Sequence, residues 1–273
     1  MARRLPLILL PPSEGKASGG SGPPWAPGCM ALDLDDVRVR VLADLERAMR
    51  GGEAARRKLL GVQGEALASA TAANRSLLAS PTLPAIERYT GVLYDELDQA
   101  SLPAASRRRL GGSVLILSGL WGAVAPGDPV PDYKLKMGAT LGRGPRLSTR
   151  WAEPLSEAIG RVARGRRVWN LLPKEHDAAW RPPEPLEQIG VEFLEPNRSG
   201  ELVAVSHWNK LLKGALVRHL LAEPSTTVDD LADWHHPLGF RLDRSRTRDE
   251  RGRTVVSMVR DSGHGIPCST IVR

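Results

Sequence analysis

The chain has 273 residues, 41% of them apolar, and carries 38 Lys plus Arg against 31 Asp plus Glu for a net charge of +7. That is apolar material for one sizeable core, so residues 1–273 read as one domain; the basic excess suits a polyanionic partner where it clusters and a solvated, arginine-rich surface where it does not. Only Cys29 and Cys268 occur, too few and too far apart for a disulfide framework or a zinc site, and no run nears the roughly 18 to 20 apolar residues of a membrane span, which points to a reducing cytoplasm.

In chain order, Leu7–Leu10 reads as a first strand and not a signal peptide, because Pro11 and Pro12 follow it and no small-residue cleavage site appears. Residues 17–28, rich in Gly, Pro and Ser, read as a loop. Apolar residues three and four apart predict helices over 33–50, 54–60 and 65–78, and later over 151–163 and 209–222. Short β-rich runs at 114–117, 168–172, 202–205 and 254–259 predict further strands, and 243–253 reads as a charged turn or hairpin connection before the last of them. Strands and helices alternate, the signature of an α/β fold with one central sheet.

Residues 54–78 break at Gly61, Val62, Gln63 and Gly64. Two glycines around one apolar residue suit a tight helix-to-helix turn with Val62 tucked between the helices. Exposed amides at the start of the second helix, at the positive end of its dipole, would bind a phosphate, and Arg56, Arg57, Lys58 and Arg75 bring positive charge nearby. The pattern fits a helix-hairpin-helix that grips DNA by its backbone around Gly61 and Gly64. An ordinary αα-hairpin packed on the sheet has the same signature.

The first strand runs into Ser13, Glu14 and Lys16, a polar cluster at a strand's carboxyl end, where open α/β sheets place their ligands. This is not a phosphate-binding P-loop, since Leu10 and Ala17 stand where Gly and Ser or Thr belong. The chain's three tyrosines fall in two short segments, Tyr89 with Tyr94 and then Tyr133 next to Lys134. Ser118 enters a glycine-rich turn ahead of Asp128, and Glu175 and His176 follow the strand expected at 168–172. Helix capping and turn formation also select Ser, Gly and Asp at such places. Lys210 and Lys213, with Arg218 further along the same helix, reach one surface. His235 and His236 are adjacent, and neither HExxH nor paired CxxC occurs, so no metal or cofactor is expected.

The phrases PPSEGK, YTGVLYDEL, LSGLWG, the stretch 126–137 and SHWNKLLKGALVR, in this order, resemble the YaaA family of peroxide-stress proteins over residues 11–218. The resemblance implies a mixed sheet wrapped by helices, the cantaloupe fold, with a helix-hairpin-helix at about 54–78 projecting beside a positively charged cleft. It also implies a part in surviving hydrogen peroxide by limiting free iron and protecting DNA. Three positions depart from the family pattern. Lys134 stands where Arg is usual and lacks its planar fork, while Pro173 and His176 replace a small polar residue and a Tyr. His176 then offers a group titrating near neutral pH, or is a plain surface residue.

Two functions fit these residues. One is non-sequence-specific binding of double-stranded DNA through the hairpin in a peroxide-stress response, by a soluble protein expected to be a monomer. The other is an enzyme acting on a nucleotide, nucleoside or nucleobase, in a specialised biosynthetic pathway for example. Its pocket would be Ser13, Glu14, Tyr94, Ser118, Tyr133, Lys134, Lys210 and Lys213. Lys16, desolvated beside Lys210, would be base or nucleophile, and Glu14, Asp128 or Glu175 the partner acid, with His176 a further acid–base group.

Overall fold

The computed structural model describes residues 4–205, 208–234, 236, 238–250 and 252–260. Its strands are β1 (Leu7–Leu10), β2 (Leu83–Pro84), β3 (Val114–Ser118), β4 (Gly122–Val124), β5 (Pro129–Val130), β6 (Val168–Asn170), β7 (Gln188–Pro196), β8 (Leu202–Ala204), β9 (Phe240–Glu250) and β10 (Arg253–Arg260). The α-helices are α1 (Asp35–Met49), α2 (Glu53–Leu60), α3 (Gly64–Ser76), α4 (Ala85–Arg88), α5 (Val92–Leu97), α6 (Ala104–Ser113), α7 (Leu147–Ala163), α8 (Lys174–Asp177) and α9 (Asn209–Ala222).

One mixed sheet takes the order β4-β3-β1-β6-β7-β10-β9, with β8 pairing β7 beside β6, while β2 and β5 form a separate short ladder. From β3 through β10 the neighbours along this order are parallel; β4, β8 and β9 are antiparallel to their partners. The four residues of β1 are fully buried, as an unbroken apolar run in a central parallel strand requires when helices cover both faces. The chain leaves β1 toward β3 on one side and β6 toward β7 on the other. The carboxyl ends of β1 and β6 therefore flank the switch point of the sheet, the usual ligand crevice in open α/β folds. α7 seals the β4 end: Gly122, at φ 74°, lets the Trp151 ring come within 2.7 Å of where a Cβ would stand.

The α/β class and the five expected strands are present. Residues 243–250, read from sequence as part of a charged turn, instead belong to β9, which pairs antiparallel with β10. This edge strand has little to bury, so most of its side chains are exposed charges that also blunt an otherwise open sheet edge. The strand expected over 168–172 ends at Asn170, because Asn170 turns its side chain back to the N–H of Leu172 at 3.1 Å. No described helix is long and apolar enough to cross a membrane. Ser206, His207, His235 and Cys268 lie outside the described residues.

Candidate functional site at the carboxyl end of the sheet

β3 ends on Ser118, which is fully buried. Its Oγ accepts the N–H groups of Leu120 and Trp121 at 3.2 and 3.1 Å and lies 2.6 Å from the Tyr133 hydroxyl. Tyr133 in turn lies 2.8 Å from the Tyr89 hydroxyl. Both acceptor positions of Ser118 Oγ are taken, so its hydrogen points to Tyr133 and that of Tyr133 to Tyr89. Burial pushes the Tyr133 phenol up to about 12, against its hydrogen bonds with Ser118 and Tyr89, so it stays protonated near neutral pH. Tyr94 donates to the Pro11 carbonyl at 2.8 Å and fixes the exit of β1.

That exit delivers Lys16 across the tyrosines. Lys16 bridges Tyr89 through an isolated antiparallel pairing, and its Nζ stands 4.3 Å from the centroid of the Tyr133 ring. The ammonium donates to the Ser13 carbonyl at 3.3 Å. Burial pushes its pKa down to about 8, opposed by Asp132 and assisted by Lys134. The neighbouring cation is thus Lys134, whereas Lys210 is exposed at the start of α9. Glu14 pairs with Lys134 at 3.6 Å and Lys136 at 3.5 Å. Partial burial raises its carboxyl, but the two lysines outweigh this and hold it below the usual range.

The β6 side is a second polar group. Lys213 donates to the Leu171 carbonyl at 2.8 Å, and burial lowers its ammonium to about 8 with Asp177 opposing. Asp177 accepts from Asn170 at 2.6 Å and pairs with Arg253 at 2.7 Å. Both ring nitrogens of His176 are buried without a hydrogen-bond partner, and burial depresses the ring to about 4 despite Glu175. The carboxylate of Glu175 packs over Gly138, where a Cβ would push that side chain aside. Arg218 leaves this surface and donates to the Leu97 and Asp98 carbonyls at 2.8 and 3.0 Å. Asp128 is a brace: it accepts the N–H groups of Ala31 and Ala125 at 2.9 and 2.8 Å, although burial still raises its carboxyl. Among the described residues, no three His, Cys, Asp or Glu side chains gather as metal ligands.

The α2–α3 turn lies next to this site. Gly61 and Gly64 both take left-handed backbone, at φ 66° and 57°, and both are exposed. Gly61 N–H closes α2 on the Arg57 carbonyl at 2.9 Å. Arg57 and Lys58 are exposed, but Arg56 is held to the Gly51 carbonyl at 2.6 Å and Arg75 to that of Met49 at 2.9 Å, so these two tie the end of α1 down. Asn74 of α3 clamps the main chain of Lys134 in both directions, each bond 2.9 Å. The Lys136 ammonium would stand 3.6 Å from a Cβ at Gly61. Lys136 thus spans from the hairpin turn to Glu14, and Lys134 continues to Lys16. A groove of about 780 Å³ runs along α2, with Arg47, Lys58 and Arg143 on its walls and Gly138, Gly142 and Gly144 along one of them.

Sequence reasoning passed over Asn74, Asp132 and Lys136. The alternation of Lys134 and Lys136 on an extended segment was the available signal for Lys136; the role of Asn74 depends on a partner 60 residues away and left none.

These elements define a mixed α/β protein with a lysine- and tyrosine-rich site at the switch point of its sheet. The chain belongs to the YaaA family: the family model described as peroxide stress protein YaaA matches residues 7–246. A UPF0246 protein of Streptomyces coelicolor is 40% identical over 247 residues, spanning 87% of this chain and 92% of that one. A UPF0246 protein of Corynebacterium glutamicum is 38% identical over 219 residues, spanning 78% and 84%.

Proposed function

We propose that this peroxide-stress family member binds double-stranded DNA through its phosphate backbone without reading sequence. The observation that carries the reading is the exposed Gly61 to Gly64 turn at the end of α2, whose groove carries Lys58, Arg143 and an Arg47 already paired with Asp44 of the same wall. The turn offers the start of α3 to a phosphate, and the groove cations extend the footprint. Anisotropy of a short fluorescent duplex over a salt series tests it. Affinity is expected to fall steeply with salt and to drop at least about tenfold in a Gly61→Asp/Gly64→Asp variant. Salt-independent or absent binding at moderate ionic strength would overturn it.

A second reading is an enzyme acting on a nucleotide, nucleoside or nucleobase, favoured by the Lys16 amine lying over Tyr133. Calorimetric titration with those three ligand classes tests it. Binding that Lys16→Ala abolishes in a folded protein would support it, and no heat from any of them would remove it.

A further inference from the structure

The Lys16 amine has a partner set unlike that of a structural lysine. It makes one hydrogen bond, to the Ser13 carbonyl at 3.3 Å, and no ion pair among the described residues, and it rests on the face of a neutral tyrosine. Lys16 itself is half-buried, and Glu14 and Gly15 just before it are exposed. The Lys134 cation bears on it, and Glu14, whose side chain is 70% exposed and free to yield to another anion, joins Lys134 to Lys136. Lys136 reaches from there to the hairpin turn. An amine nucleophile thus stands at the end of a line of cations that starts at the surface proposed to hold DNA.

The unprotonated fraction of such an amine reacts with a carbonyl. Intact DNA offers it no aldehyde. A deoxyribose that has lost its base does, since its ring opens to an aldehyde at C1′ between two phosphates, and peroxide-derived radicals strip bases from DNA. We propose that Lys16 captures the aldehyde of an abasic site in DNA as a reversible imine, with Lys134 and Lys136 holding the flanking phosphates. The Nζ lone pair forms the C–N bond while the carbonyl oxygen takes up a proton. That oxygen then leaves as water, carrying the two hydrogens given up by the amine, and a C=N bond remains. Addition of water reverses each step. No oxidant or reductant takes part. Tyr133 keeps the amine from sinking further into the core and Ser13 orients it.

The inference rests on the DNA-binding reading, and the experiment separates the two. Full-length protein is mixed with a duplex carrying one abasic site and treated with sodium borohydride, which reduces an imine to a stable amine. Peptide mass spectrometry then locates the adduct, and anisotropy with an intact duplex is run in parallel. One adduct per chain is expected, on Lys16, absent in Lys16→Ala and in Lys16→Arg, whose guanidinium keeps the charge but forms no imine. Circular dichroism establishes that both variants are folded. The trapping rate should rise with pH and level off above about 8. Salt-dependent binding of intact duplex without an adduct would sink the inference and leave the DNA reading standing. Absence of intact-duplex binding would sink the DNA reading, and with it this inference, even if a small aldehyde such as glyceraldehyde still modified Lys16. An adduct on another lysine that survives Lys16→Arg would also overturn it.

Discussion

At the scale of single residues, the hydroxyl line from Ser118 through Tyr133 to Tyr89 is the most constrained feature of the site, because each of its groups is buried. Tyr133→Phe removes the middle member and leaves one hydrogen of Ser118 and one lone pair of Tyr89 unsatisfied. A loss of about 1–3 kcal/mol is expected in urea unfolding, the range for orphaning a buried polar group. Ser118→Ala should cost more, since it also strips the acceptor from the N–H groups of Leu120 and Trp121. The double variant should fall short of the sum, because both substitutions break the same bond. His176 gives a pH effect whose sign can be worked out. Its folded-state value of about 4 lies below the unfolded value of 6.5, so between these the unfolded chain binds the extra proton and stability falls as pH drops. Urea midpoints at pH 5 and pH 7 should differ in the wild type, and His176→Phe should shrink that difference. An unchanged difference would mean that the ring is not desolvated in solution.

At the scale of elements, α3 does two things. One end faces solvent at the hairpin turn, and the other carries Asn74, whose amide fixes the Lys134 main chain and so the register of Tyr133 beneath Lys16. Asn74→Leu keeps the size but unpairs the partly buried N–H and C=O of Lys134. It should destabilise the fold by about 1–3 kcal/mol and blur the Tyr133 environment in near-ultraviolet circular dichroism. Asn74→Asp keeps an acceptor for the Lys134 N–H and should recover part of the loss. Equal behaviour of the two variants would show that the clamp does not position the site. The clamp also bears on Lys134: its main chain is held by Asn74, while its ammonium, a point charge without the planar fork of an Arg, pairs with Glu14 at 3.6 Å. The same contrast explains what could be read from the sequence. Leu7–Leu10 was legible because a strand buried on both faces must be wholly apolar, and Lys16 because a polar run at a strand end is conspicuous. β9 was not, since an edge strand paired on one side only buries little and its run of charges reads as a loop. Asn74 was not, because its role comes from the meeting of distant segments, which no local pattern encodes; for Lys136 the alternation with Lys134 was the one local signal.

At the scale of the whole molecule, the net charge of +7 is a poor guide to the surface presented to a polyanion, because many arginines are engaged inside. Arg38 and Arg88 are fully buried and each donates to several carbonyls, Arg38 to those of Leu32, Trp121 and Ala123 and Arg88 to those of Ala17, Gly19, Pro81 and Val130. Arg166 binds the Leu5, Pro6 and Gly112 carbonyls, and Arg109 closes the end of α9 through those of Leu221 and Ala222. These guanidinium groups hold loops and helix ends together and have few donors left for phosphate. If DNA lies along the α2 groove, position rather than total charge sets the salt dependence. Lys58→Glu/Arg143→Glu should flatten the slope of log affinity against log salt by about 0.9 for each phosphate that is no longer neutralised, near 1.8 in all. Arg161→Glu/Arg246→Glu changes the net charge equally but acts on residues paired with Glu157 and Asp243, outside the groove. It should lower affinity slightly through the long-range field and leave the slope nearly unchanged. Equal flattening by both pairs would mean that DNA follows the overall charge of the molecule and that the groove has no special part in holding it.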